Sequence, residues 1–149
     1  MAIETEDKTC SGISSQVHPQ CVVCGITNSK GLHLEFNVFE DGSVKADIEC
    51  NRALQGYPGI LHGGVISTIL DGAMGHCMFA RGQAAVTVEM TTRFRSPVLV
   101  DHNAIVMARI TRKSHPLYLL QAEIIQNGQV KATAKSKFYD QPALLNKAD

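Results

Sequence analysis

The stretch GILHGGVISTILDGAMGHC, residues 59–77, consists almost wholly of apolar and small side chains, yet it carries one carboxylate, Asp71, near its middle. A helix on the surface of a domain normally shows a charged outer stripe. Asp71 is the only formal charge from Gly63 to Ala80, so the stretch reads as a helix covered on most sides. At about 100° per residue, Val65, Ile66, Ile69, Leu70, Ala73 and Cys77 share one broad apolar face. Asp71 falls on the other face, beside Ser67, Thr68 and Gly75, where small residues permit close approach of another backbone. A carboxylate there loses hydration, a cost tolerated where the group has a partner or a task.

On either side of this helix the periodicity changes to two. Leu32, Leu34, Phe36 and Val38 alternate with polar residues, Asp41-Gly42 supplies a turn, and Val44, Ala46 and Ile48 alternate again, which predicts a β-hairpin. After the helix, alternation predicts strands over 85–95, 104–112, 118–125 and 130–138, the last two joined by the hairpin turn Asn127-Gly128. Two strands, one long helix and four strands argue an α+β domain in which an antiparallel sheet wraps the helix. Residues 1–20 mix Ser, Thr, Gln and charge without a period and read as a mobile arm. The domain then occupies 21–140, with a tail at 141–149.

The totals narrow the function. Fourteen basic and fourteen acidic side chains cancel, so no global field recruits nucleic acid or an anionic membrane, and an anionic ligand needs a local cluster. No apolar run approaches the length of a membrane span, and the polar start MAIETEDKTC lacks an apolar signal region, so a cytoplasmic location is expected. Five irregularly spaced cysteines do not suggest a disulfide framework.

The stretch YPGILHGGVISTILDGAMG resembles the hotdog-fold acyl-CoA thioesterases of the phenylacetate-pathway and 4-hydroxybenzoyl-CoA type. There an H-G-G triplet opens the central helix and an acidic residue follows nine positions after the histidine, the separation of His62 and Asp71 here. RGQAAVTVEMTTRFRSPV is similar to the family's first strand after the helix, closing on Ser96-Pro97. Gly72 departs from the pattern, since relatives often have a second acid there, and Asp71 is left as the sole acidic candidate. CVVCGITNSKGLHLEF is similar to an N-terminal signature of a subset of these proteins, C-x-x-C-G then N-x-x-G-L.

The resemblance implies a hotdog fold and hydrolysis of an acyl-CoA to the acid and free CoA. His62, Gly63 and Gly64 would form the helix entry, with His62 orienting the turn and a glycine N–H polarising the thioester carbonyl. Asp71 would activate water or attack directly. Thr87 corresponds to a strand hydroxyl that in some relatives helps place the water. By alternation, however, it shares a face with Glu89 and Thr91, opposite Val86, Val88 and Met90, and is expected to point away from its own helix. Arg93, Arg95, Arg109, Arg112 and Lys113 form the densest basic group, and Arg95, Arg112 and Lys113 are the candidates for the CoA phosphates. No metal or redox cofactor is required. A non-catalytic acyl-CoA-binding module and a hydratase or dehydratase on the same fold are the alternatives, the second relying on His62 or His76 as acid and base.

His18, Cys21, Cys24 and His33 supply enough ligands for a tetrahedral zinc. Only one C-x-x-C pair is present, however, and the cysteines are read as small apolar packing residues. Gly64 and Asp71 lie seven residues apart, roughly 10 Å along a helix, whereas reacting atoms must meet at about 3 to 3.5 Å. A homodimer with antiparallel helices and shared sites is therefore expected, each site built from Gly63 and Gly64 of one chain and Asp71 of the other. The resemblance also implies pairing of dimers into tetramers.

Overall fold

A computed structural model describes residues 8–9 and 11–146. Strand β1 (Lys8–Thr9) and helix α1 (Ser11–Val17) come first, followed by β2 (Asn37–Val38) and β3 (Val44–Glu49). A short 3-10 turn, Arg52–Leu54, leads to the long helix α2 (Gly63–Phe79). Strands β4 (Ala85–Phe94), β5 (Asn103–Ser114), β6 (Leu117–Gln126) and β7 (Gln129–Asp140) complete the domain, and a 3-10 turn spans Pro142–Asn146. The seven strands form one sheet in the order β1-β2-β3-β5-β6-β7-β4, antiparallel at every pairing. This is the hotdog arrangement, with the sheet curled around α2, which touches every strand from β3 to β7.

Side chains alternating on the inner face of the sheet meet the apolar side of the helix. Val44, Ala46, Ile48, Val106, Leu120, Ile124, Ala132 and Phe138 are buried against Ile66, Ile69, Leu70, Ala73, Met74 and Cys77. Each fully buried aliphatic of this size contributes about 1.5–3 kcal/mol, so the interface between sheet and helix dominates the stability. No helix among the described residues is long and apolar enough to cross a membrane.

The four strands after α2 match their expected ranges to within two residues at every end. The expected hairpin is shorter: its first strand is cut to Asn37–Val38, although Leu34 and Phe36 are buried. The reason lies upstream, because the N–H groups of Leu32 and Leu34 donate to the carbonyls of Val22 and Val23 and not to β3. Part of the expected arm carries secondary structure: α1 lies within it, and just past its end His18 makes an edge-on contact with Phe79, at 4.9 Å between ring centroids. Residues 1–7 and 10 of that arm, and 147–149 of the expected tail, lie outside the described residues.

Candidate functional site

Helix α2 begins where His62, still in extended backbone, turns its ring over the first helical turn and Nδ1 accepts the Gly64 N–H at 2.9 Å. An imidazole thus does the work usually given to a hydroxyl or carboxylate cap. The turn is held from both sides, as the His62 N–H donates to the Leu54 carbonyl and the Leu61 N–H to the Val98 carbonyl. With the Gly64 amide engaged, Gly63 is the other glycine at the helix start. There the first N–H groups have no acceptor within the helix, and the dipole is positive. Gly63 lines a cavity of about 660 Å³ together with Tyr57, Ile66, Phe94, Arg95 and Pro97, and the Phe94 ring lies over it. Beyond Val98, the buried amide of Gln126 accepts the Leu99 N–H and donates to the carbonyls of Leu99 and His102.

Asp71, two turns further along α2, is half-buried, and its Oδ1 accepts the Thr87 hydroxyl at 2.6 Å. Alternation alone predicts the opposite orientation for Thr87. The pairing of β4 with β7 shifts between Thr87 and Glu89, so Val88 is an extra residue bulged out of the ladder. Ala85 and Thr87 therefore face the helix with Met90. Val86 and Val88, expected in the core, are 38% and 54% exposed. Asp71 is not a wall of the cavity at Gly63. Within one chain, the helix entry and the carboxylate lie apart.

The basic residues do not form one cluster. Arg95 follows β4 at the Gly63 cavity. Arg112 pairs with Leu119, which pairs in turn with Lys137, itself opposite Glu89. Glu89 is six residues before Arg95, about 20 Å along the strand. Arg112 and Lys113 are thus at the other end of the sheet, level with Thr87. Met74 and Met78 are completely buried in the core and Phe79 is nearly so, while Tyr57 is exposed at the cavity rim.

A second constellation sits where the N-terminal segment crosses α2. The ligand atoms of His18, Cys21 and Cys24 all lie within 4.8 Å of one another. His33 is elsewhere, its Nε2 against the Asn28 carbonyl. The Cys21 thiol is held well below its ordinary pKa, chiefly because the Cys24 thiol donates to it, with the His18 ring and the N–H groups of Cys24 and Val23 adding to the effect and partial burial opposing it. Behind this turn His76 is buried, stacked on Phe36 at 4.2 Å and edge-on to Phe79. Desolvation lowers its pKa to about 4, helped by the nearby His18 and opposed by Cys21. Val23 covers Gly72: a Cβ at Gly72 would lie 2.6 Å from Val23 Cγ1. This contact accounts for a glycine in the position after Asp71, since no larger side chain fits under Val23.

Comparison with known proteins adds the family. A family model described as the thioesterase superfamily matches residues 58–133. Bovine acyl-coenzyme A thioesterase THEM4 is 35% identical over 71 residues, 46% of this chain and 29% of that protein. The match thus spans less than a third of that relative's length. Among solved structures, the thioesterase superfamily protein RHA08564 superposes with a TM-score of 0.79 at 23% identity, covering 93% of this chain and 70% of the other. The smu.793 protein of Streptococcus mutans, solved bound to acetyl CoA, gives a TM-score of 0.69 at 20% identity, covering 73% of this chain and 89% of its own.

Proposed function

The chain belongs to the thioesterase superfamily, and from that premise we propose that it hydrolyses an acyl-CoA thioester to the carboxylic acid and free CoA. The observation that carries this reading is the Asp71 carboxylate, the only formal charge in α2, held on one oxygen by Thr87. The thioester carbonyl would accept the Gly63 N–H at the positive end of α2, where charge that develops on oxygen is stabilised. Asp71 would take a proton from the attacking water, with Thr87 fixing the carboxylate so that its second oxygen meets that water. Water adds to the carbonyl carbon, and the C–S bond breaks to leave CoA as the thiol. The acyl-CoA relatives and the acetyl-CoA-bound neighbour support this substrate class.

The two half-sites require two chains. Strand β4 is the edge of the sheet and presents Val88 and Phe94, both more than half exposed. An edge of this kind invites pairing with a second copy. Two-fold pairing would set the helices antiparallel and bring Asp71 of one chain to Gly63 of its partner, and such dimers would pair again into tetramers. The hydratase alternative has less support, because the His62 Nδ1 is spent on the helix cap and His76 is buried under Phe36.

A panel of acyl-CoA and enoyl-CoA esters assayed for thiol release and for water addition tests the reading. We expect thiol release, lowered at least about 10²-fold in Asp71→Asn with the fold intact. Binding without thiol release, addition of water to the enoyl esters alone, or undiminished release by Asp71→Asn would each overturn it.

A further inference from the structure

We propose that His18, Cys21 and Cys24 form a three-ligand site for a zinc ion that fastens the N-terminal segment to helix α2. The three ligand atoms already lie within 4.8 Å of one another, with His18 exposed and both cysteines half-buried. An imidazole and two sulfurs form a donor set that suits Zn²⁺ and is poorly matched to Mg²⁺ or Ca²⁺, which take oxygen ligands. Three protein ligands leave one tetrahedral position for water.

The backbone around the pair is shaped for the same purpose. In Cys21-Val22-Val23-Cys24-Gly25 the chain folds back tightly, so that the Gly25 N–H donates to the Cys21 carbonyl at 2.8 Å and the Val23 N–H points at Cys21 Sγ at 3.3 Å. A Cβ at Gly25 would lie 2.4 Å from the Cys21 amide nitrogen, so this turn admits only glycine. An amide N–H directed at sulfur favours the thiolate, the form that binds metal. Binding would displace the Cys24 thiol proton, and the ion would replace the hydrogen bonds that now run among the three side chains.

The location gives the ion a structural task. Val23 sits inside the C-x-x-C turn and packs on Gly72, next to Asp71. The carbonyls of Val22 and Val23 also hold the N–H groups of Leu32 and Leu34. Fixing the turn therefore fixes both the cover over this part of α2 and the strand-like segment that follows. The site shares no residue with the proposed thioesterase half-sites, so its test is independent of catalysis.

The full chain, purified under reducing conditions, is stripped with a chelator, titrated with Zn²⁺ alone and weighed for metal by elemental analysis. We expect about one zinc per chain. Co²⁺ in its place should give a sulfur-to-cobalt charge-transfer band and tetrahedral ligand-field bands. Stripping should lower Tm by at least about 5 °C. Cys21→Ser and Cys24→Ser should bind less than about a tenth of this metal, while His33→Ala, outside the cluster, keeps it. Substoichiometric zinc after titration, full zinc in a folded Cys24→Ser chain, or a Cys21–Cys24 disulfide in the reduced preparation would overturn the proposal. Where a cysteine variant fails to fold, the Co²⁺ spectrum of the unaltered chain decides: absence of the sulfur band rejects the site.

Discussion

The Thr87 hydroxyl, on strand β4, donates to the Asp71 carboxylate of helix α2 across 2.6 Å within a single chain. Thr87→Val keeps the volume and removes the donor, leaving Asp71 to rotate. We expect kcat to fall about tenfold to a hundredfold with KM little changed, and Thr87→Ser to restore most of it. An equal loss in Thr87→Ser and Thr87→Val would make the hydroxyl irrelevant.

A shared site permits complementation. Asp71→Asn disables one half-site, and Gly63→Val disables the other by driving a side chain towards the Phe94 ring, 3.5 Å from the position of the new Cβ. Mixed chains should recover activity, because each heterodimer holds one intact site. Heterodimers seen by mass spectrometry without recovered turnover would reject the shared site.

Separation of the basic residues predicts separate effects. Arg112→Ala should raise KM about tenfold for CoA esters and leave it unchanged for a short pantetheine ester, which lacks the nucleotide phosphates. Equal effects on both esters would remove Arg112 from CoA binding.

The Val23–Gly72 contact reverses the usual sign of a helix substitution. Gly→Ala inside a helix ordinarily stabilises by about 0.5–1 kcal/mol. At Gly72 the new Cβ would meet Val23 at 2.6 Å, and overpacking of this kind costs about 1–3 kcal/mol. Gly72→Ala should therefore destabilise the native chain and cost less in a Val23→Ala chain, where only the residue-23 Cβ, 3.0 Å away, remains. Denaturant midpoints of the four proteins check this, and an equal loss in both backgrounds would contradict it.

His76 contributes a pH dependence. Unfolded, it takes a proton below its ordinary value of 6.5; folded, only below about 4. Its contribution to stability is complete above 6.5 and is lost as pH falls towards 4, by at most about 1.4 kcal/mol per pH unit. His76→Phe, which retains a ring against Phe36, should lack that part of the slope. Identical slopes between pH 7 and 4 would refute the assignment.

What the sequence made legible follows from what each element depends on. Helix α2 was readable as a long apolar run with one charge, strands β5 to β7 because their apolar residues alternate over most of their length, and β4 in its extent but not its phase. Helix α1 is seven residues long and rich in serine; docking on α2 holds it, and no local pattern announces that. Leu32 to Phe36 alternates like a strand but spends its hydrogen bonds on the Cys21–Cys24 turn, a long-range choice invisible to periodicity. Asp71 and the His62-Gly63-Gly64 entry stood out through one charge in an apolar helix and through family spacing. The orientation of Thr87 was misread because one bulged residue breaks the count. In the C-x-x-C turn the cysteines were visible, but the arrival of His18 and the departure of His33 are decided by the fold.

Val88 acts on strand β4 as an inserted nucleotide acts on a reading frame. Everything before it is read in one phase and everything after it in the other. Deleting that single exposed residue would join the two phases into one unbroken ladder, with Ala85, Thr87 and Met90 still facing the helix and Val86 still outside. Two relatives that differ by one residue here would present their hydroxyls at different positions when counted back from the Ser96-Pro97 step, so equivalence along this strand has to be judged by phase and not by alignment column.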